Sequence, residues 1–118
     1  MDQNISSEKS FEFAVRIVNL SKHLVSEHKE YTLSKQLLRS GTSIGANISE
    51  AQRGQSRADF SAKMCIALKE ANETTYWLRL MHKTGRIDAE SYQHAEKMCG
   101  NIRRLLIASC RTAKGENA

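Results

Sequence analysis

One stretch of the chain repeats small and aliphatic residues at helical spacing: Leu37, Gly41, Ile44, Ile48 and Ala51. Steps of four, three, four and three residues place all five on one narrow stripe of an α-helix, and the stripe is made largely of small side chains. Small side chains allow two helix backbones to approach each other. The stripe therefore predicts a helix that packs very close to another helix.

The composition favours a fold built of helices alone. The chain has 118 residues, which is enough for one domain with one core. It contains no proline and only six scattered glycines, which suits long uninterrupted helices and offers little turn chemistry for a sheet. We therefore predict a single all-α domain over residues 1–118.

Apolar periodicity divides the chain into four helices, at about residues 7–28, 32–53, 57–83 and 88–113. A capping-box pattern, Ser56 followed by Asp59, precedes the third helix, and Gly85 stands where that helix should end. Asp88 stands where it can cap the fourth helix. Because the helices are long and the connections short, the simplest arrangement is an antiparallel up-down-up-down four-helix bundle.

More apolar surface is present than a single bundle can bury. The third helix carries large apolar residues away from its core stripe, and the first helix is apolar over well over half of its circumference. Tyr and Trp are favoured at interface centres, so we predict a homo-oligomer. The alternative is that Trp77 and Tyr76 cover loop ends within one bundle. The predicted interface residues are Ile66, Tyr76, Trp77, Leu80, Phe13 and Leu20.

Positive charge concentrates on two helices of this chain, whose formal net charge is +5. No acidic residue occurs between Lys97 and Lys114, so the outer face of the fourth helix carries uncompensated charge that can match phosphates. The alternative is a solvated face that serves solubility. The candidate nucleic-acid-binding residues are Lys97, Arg104, Arg111 and Arg103 on the fourth helix, and Lys35, Arg39 and Arg53 on the second.

No sequence motif points to catalysis, a cofactor or a metal. Glu70 and Glu73 are one helical turn apart beside Trp77, and we assign them ion pairs or hydrogen bonds across a helix interface. The four histidines lack ligand spacing. Ser40, Ser43 and Asn47 are predicted to hydrogen-bond across helices. The few aromatic residues fall mostly on apolar faces, so an electrostatic mode of nucleic-acid binding is favoured over base stacking.

The sequence also bears on the compartment. The polar N-terminus is not typical of a signal or transit peptide, and no apolar run is long enough to span a bilayer. The three cysteines are odd in number and lack a Cys-x-x-Cys pair, so we expect small, unpaired, apolar cysteines in a reducing environment. These features predict a cytoplasmic protein without a membrane partner.

Two segments of the chain carry recognisable motifs. Residues 43–51 read SIGANISEA and resemble the signature S-I-x-x-N-I-x-E-G of the 23S rRNA intervening-sequence proteins, although Ala51 stands where that family usually has glycine. Residues 66–78 read IALKEANETTYWL and resemble the third-helix segment of the family. The resemblance extends from the first helix to the fourth.

This resemblance implies a small bacterial four-helix bundle that assembles as a ring, typically a pentamer, and brings no catalytic residues. The similar accessory variability proteins of diversity-generating retroelements form basic pentameric barrels that bind nucleic acid and a reverse transcriptase. The resemblance implies packing roles for Ser43, Ile44, Asn47, Ile48, Glu50, Glu70, Glu73, Trp77 and Leu78.

Residues and resemblance together predict a non-enzymatic homo-oligomer that associates with RNA or an RNA–DNA hybrid through backbone phosphates. The alternative is a protein-interaction scaffold, or an accessory subunit of a partner such as a reverse transcriptase, whose basic faces dock an acidic protein.

Overall fold

The computed structural model describes the backbone of residues 2–114 and the side chains of residues 5–110. It contains four helices, α1 (Asp2–His28), α2 (Thr32–Gln52), α3 (Arg57–Lys83) and α4 (Ala89–Lys114). No strand occurs in this part of the chain, and the prediction of an all-α four-helix bundle is confirmed. The bounds of α3 are those predicted, whereas α1 begins at Asp2 rather than near residue 7.

Each helix packs against two others. α1 contacts α2 and α4, and α3 contacts α2 and α4, without contact across either diagonal of the described bundle. The apolar stripes of all four helices meet in the middle, where each fully buried aliphatic or aromatic side chain contributes about 1.5–3 kcal/mol. The largest fully buried apolar side chains are Phe13, Ile17, Leu24, Leu37, Ile44, Ile48, Met64, Leu78, Met81, Ile102 and Leu106.

The small-residue stripe of α2 packs closely against α1, as predicted. All five stripe residues are buried. A β-carbon placed on Gly41 would lie 2.8 Å from both Cγ1 and Cγ2 of Ile17, well inside van der Waals contact. The missing side chain of Gly41 therefore lets the two helices approach.

The predicted helix boundaries are confirmed in their capping chemistry. The Ser56 hydroxyl accepts a hydrogen bond of 3.1 Å from the backbone N–H of Asp59 at the start of α3. Gly85 adopts φ +78 just after α3, a left-handed conformation that glycine adopts without strain. Asp88 Oδ1 accepts a bond of 2.7 Å from the Ser91 N–H. Local side chains thus satisfy backbone groups that the helix ends leave unpaired.

Two loops meet at one end of the bundle. The link between α1 and α2 turns at Lys29, which has a positive φ of 53. Next to it, Glu30 Oε2 accepts a hydrogen bond of 2.9 Å from the Leu33 N–H in the first turn of α2. The other oxygen of Glu30 pairs with Arg86 Nε at 3.4 Å, which ties this link to the connection between α3 and α4.

One of the three predicted polar ties between helices is present. The hydroxyls of Ser40 and Thr74 are hydrogen-bonded at 3.0 Å across the buried interface between α2 and α3. The prediction is wrong for Ser43 and Asn47, which donate to backbone carbonyls one turn earlier in α2, those of Arg39 and Ser43. Side chains of this kind readily find such local acceptors in a helix.

The cysteine prediction is wrong for two of the three residues. Cys65 of α3 and Cys110 of α4 form a disulfide, with Cα atoms 5.1 Å apart and a separation of 45 positions in sequence. Only the packing of α3 against α4 brings them together, so spacing gives no warning of the pair. Cys99 is an unpaired, buried cysteine, as expected of a small apolar residue.

None of the helices, over the residues described, is long and apolar enough to cross a membrane.

Candidate nucleic-acid interface

The outer face of α4 carries the basic residues that the sequence singled out. Lys97 and Arg104 are exposed and lie two helical turns apart, while Arg103 is half-buried beside them. The side chain of Arg111 lies outside the described residues. The acidic residues of α4, Glu90 and Glu96, both precede Lys97. The C-terminal part of α4 therefore presents cations alone.

The arginines of this face are oriented by neutral partners. Arg103 Nε donates a hydrogen bond of 2.8 Å to Asn72 Oδ1 of α3, and Arg104 donates to Asn101 in its own helix. An amide oxygen positions a guanidinium without cancelling its charge, and each guanidinium retains further N–H donors for a ligand. Asn72 thus joins the surface of α3 to that of α4.

Arg39 of α2 is engaged within the bundle, contrary to its predicted role. Its guanidinium forms ion pairs with two carboxylates of α3. One pair is with Glu70 Oε1 at 3.3 Å, and the other is with Glu73 Oε2. Both charges of the pair of glutamates face this one arginine. The prediction that Glu70 and Glu73 act as structural ion pairs across a helix interface is confirmed, and Arg39 is removed from the candidate surface.

Glu73 also fixes the single tryptophan. Glu73 Oε2 accepts a hydrogen bond of 3.1 Å from Trp77 Nε1. This hydrogen bond, and after it the bond and charge of Arg39, hold the pKa of the Glu73 carboxyl below its usual range. The Trp77 ring in turn meets the ring of Tyr76 edge-on, with centroids 5.1 Å apart. A cation, a carboxylate and two aromatic rings therefore form one continuous chain of contacts.

The other two basic residues predicted on α2 are far apart along the helix. Lys35 is exposed near its start, and Arg53 follows its end. Arg53 lines a shallow depression of about 390 Å³ together with Glu50, Asp59 and Lys63. Lys63 and Glu50 form an ion pair of 2.9 Å there. Charges of both signs meet at this end, so α2 does not present a basic stripe.

Sequence reasoning missed the basic residues of α3. Lys69, Arg79 and Lys83 are exposed on the outer face of this helix. Together with the exposed Tyr76, which lies between Lys69 and Arg79, they follow steps of seven, three and four residues. This periodicity is the signal that could have found them, but the large apolar residues on the same face of α3 favour the prediction of an apolar contact. We call the combined surface the α3/α4 basic face; its residues are Lys69, Arg79, Lys83, Lys97, Arg103 and Arg104, none of which forms an ion pair within the described residues.

The predicted interface residues fall into three groups. Phe13 and Leu20 lie in the core, at 0% and 6% exposure, and their assignment to an interface is wrong. The physical reason is that α1 packs on both α2 and α4, so the bundle itself covers the wide apolar face of that helix. Trp77 and Leu80 are half-buried, and Ile66 and Tyr76 are exposed.

The outer side of α1 and α2 holds the most exposed large apolar side chain described, Phe11, which is 71% exposed. Val15, one turn along α1, is also exposed. Beside Phe11 an open groove of about 840 Å³ runs between the two helices. Most of its lining is small or polar: Ser7, Glu8, Ser10, Glu12, Ala14, Thr42, Gly45, Ala46 and Ser49.

Comparison with known proteins places this bundle in a family. Residues 2–108 match the family model of the 23S rRNA-intervening sequence protein. The chain belongs to this family. A crystal structure of a protein of unknown function from the S23 ribosomal protein family of Bacteroides thetaiotaomicron is 57% identical, with a TM-score of 0.92, over 94% of this chain and 99% of that one. No curated protein matches the chain.

In this member of the 23S rRNA-intervening sequence protein family, most of the packing roles implied by the resemblance are present. Ile44, Ile48 and Leu78 are fully buried. Glu70, Glu73 and Trp77 form the network around Arg39 described above, and Glu50 reaches Lys63 of α3. Ser43 and Asn47 bond within α2. Both segments that resemble the family therefore contribute contacts between α2 and α3.

Among the side chains of residues 5–110, no group of three or more His, Cys, Asp or Glu residues lies close enough together to hold a metal ion.

Proposed function

We propose that this family member is a non-enzymatic, homo-oligomeric protein that associates with nucleic acid through the α3/α4 basic face. The observation that carries the proposal is the set of six cations on two adjacent helices, none of them paired with an acid in the described structure. Unpaired cations held at fixed spacing on rigid helices are suited to the phosphates of RNA or of an RNA–DNA hybrid.

Phosphate contact is the expected mode of binding. Helices that present cations from a convex surface reach a nucleic-acid backbone more readily than the base edges in a deep groove. Binding of this kind releases counterions, so a protein with six to ten phosphate contacts loses about 10³–10⁵-fold in affinity between 50 and 200 mM salt. A steep salt dependence is therefore the signature of the proposed mode.

We also propose that the helices alternate in direction as an up-down-up-down bundle. Contacts between α2 and α3 support this, because Arg39 pairs with Glu73, whereas the later Glu50 pairs with the earlier Lys63. Between α3 and α4, Cys65 bonds to Cys110 and Asn72 to Arg103, in the same opposed order.

The proposed oligomer uses the outer side of α1 and α2. Phe11 lines a groove together with Gly45 and Ala46, and this exposed, largely small-residue surface is where a second copy can pack. A head-to-tail contact gives either a closed ring or an open filament, and the family resemblance implies the ring, with five copies. Repetition of the α3/α4 basic face around a ring would raise its affinity for a polyanion by multivalency.

The test is a charge reversal with a matched control. The variant Lys97→Glu with Arg104→Glu alters the α3/α4 basic face; the variant Lys22→Glu with Lys35→Glu makes the same change of net charge at exposed positions on α1 and α2. Fluorescence anisotropy with labelled duplex RNA at two salt concentrations measures binding, and light scattering measures assembly.

We expect the first variant to lose binding and the second to keep most of it, with assembly unchanged in both. Equal losses would mean that net charge alone attracts RNA, and the assignment of the face would be wrong. Absence of salt-dependent binding by the unmodified protein, to a single-stranded RNA as well as to the duplex, would contradict nucleic-acid association and favour the alternative function, a scaffold or accessory subunit for a partner protein.

A further inference from the structure

We propose that the α3/α4 basic face takes a single-stranded segment of nucleic acid, with a base stacked on Tyr76. The inference rests on the proposed nucleic-acid association. It adds the strand state of the ligand and names the residue that distinguishes a single strand from a duplex.

Tyr76 lies on the outer face of α3 with its ring open to solvent. Most of the seven aromatic side chains are buried or half-buried, whereas Phe11, Tyr31 and Tyr76 are 71%, 55% and 59% exposed. Tyr76 is nevertheless braced, because its ring meets the ring of Trp77, and Trp77 is held by its hydrogen bond to Glu73. A fixed ring with an open surface is what a stacking platform requires.

Cations surround this ring along α3. Lys69 and Lys83 stand seven residues before and after Tyr76, about 10 Å away on either side at the helical rise of about 1.5 Å per residue. Arg79 lies on the next turn of the same exposed face. On the side of α4, Arg103 is fixed to Asn72, one turn before Tyr76. A strand that lies across this face meets cations with its phosphates while one of its bases reaches the tyrosine.

A duplex cannot use Tyr76 in this way. Its bases are already stacked on one another, so an aromatic ring on a convex helix surface meets only the sugar–phosphate backbone. An unpaired strand exposes base faces, and stacking on tyrosine is tolerant of base identity. Phe11, which is also exposed, lies instead between two acidic residues of α1, Glu8 and Glu12.

The experiment measures binding of two labelled RNAs of similar phosphate number to the full chain. One is an oligouridylate of about twelve nucleotides, a length within the range that other single-strand-binding proteins cover, and the other is a short duplex. The variants are Tyr76→Ala and Tyr76→Phe, which keeps the ring. The matched control is Tyr31→Ala, which removes an equally exposed tyrosine from the link between α1 and α2. Trp77, the single tryptophan, reports contact near Tyr76 through its fluorescence.

We expect Tyr76→Ala to weaken oligouridylate binding by roughly tenfold with little change for the duplex. Tyr76→Phe and Tyr31→Ala should bind like the unmodified protein, and oligouridylate should change the Trp77 emission. Equal behaviour of Tyr76→Ala and Tyr31→Ala toward both RNAs would overturn the inference and leave the proposed function standing. Failure of the unmodified protein to bind either RNA would overturn the proposed function itself. Dissociation of the oligomer by Tyr76→Ala in light scattering would assign Tyr76 to contact between copies and also overturn the inference.

Discussion

A β-carbon on Gly41 would approach Cγ1 and Cγ2 of Ile17 to 2.8 Å, so α1 and α2 touch backbone to side chain at this point. Ile17 is fully buried, and its β-branched side chain has few rotamers with which to yield. The close approach of α1 to α2 at this contact follows from the small-residue stripe of α2.

We predict that Gly41→Ala lowers the free energy of unfolding by about 1–3 kcal/mol, the usual cost of overpacking a core. Gly100→Ala is the matched control, because an added β-carbon at this helical position meets nothing within 4 Å. It should raise stability by about 0.5–1 kcal/mol through helix propensity. Urea unfolding measures both variants, and a Gly41→Ala protein as stable as the parent would contradict the close packing.

Glu73 gives the fold a dependence on pH. Its pKa is lowered in the folded state, mainly by the Trp77 hydrogen bond and then by Arg39. A lowered pKa means that the ionised carboxylate stabilises the fold above the pKa of the unfolded chain, and that this contribution disappears as the pH falls through the folded pKa.

The variant Glu73→Gln isolates that charge while keeping the shape of the side chain. We expect it to be less stable than the parent at neutral pH, by at most about 1 kcal/mol because the ion pair is partly exposed to water. The difference should shrink in acid, below the ordinary carboxyl pKa of 4.5. Unfolding curves followed by Trp77 fluorescence measure it, and a difference that is constant with pH would refute the assignment.

The disulfide between α3 and α4 predicts redox-dependent stability. It joins residues 45 positions apart. A closed loop of this kind lowers the conformational entropy of the unfolded chain and so stabilises the fold by about 2–4 kcal/mol. Cys65→Ser should lower the stability by that amount without reductant. With a dithiol reductant present, the parent and the variant should converge. A parent protein whose thermal unfolding does not respond to the reductant would show that the bond is not formed.

Cys99 should be chemically inert in the folded protein. Burial raises the pKa of its thiol to about 12, and the nearby charge of Glu96 acts in the same direction. At neutral pH the group is therefore a protonated thiol that alkylating reagents do not reach. Mass spectrometry after iodoacetamide should show no label on the native chain and one label after unfolding without reductant. Rapid labelling of the native chain would contradict this burial.

The secondary structure and the core faces followed from the sequence because their causes are local. Gly85 and Asp88 act within a turn of their own position, and so they mark helix ends in any tertiary context. The spacing of Gly41, Ile44 and Ile48 likewise selects one side of a helix for burial. The same reasoning gave the close packing of α2 before its partner was known.

Only part of the candidate surface could be predicted from the sequence. Arg39 and Arg104 have the same chemistry and both occur on outward helix faces, but only Arg39 meets carboxylates, those of Glu70 and Glu73 from another helix. The prediction of a basic face on α4 rests on the lack of acids in the sequence of that helix, so it did not depend on which helix packs beside it. The addition of Lys69 and Arg79 required knowing that α3 lies beside α4.

The sequence by itself determined the four helices, the side that each one buries, and the surplus of positive charge on α4. The tertiary structure decided which charges cancel, that Cys65 and Cys110 meet, that Phe13 and Leu20 serve the core, and that Phe11 faces water. The physical reason is one of range: helix periodicity and capping depend on residues within about four positions, whereas ion pairs, disulfides and exposure depend on which helices pack side by side.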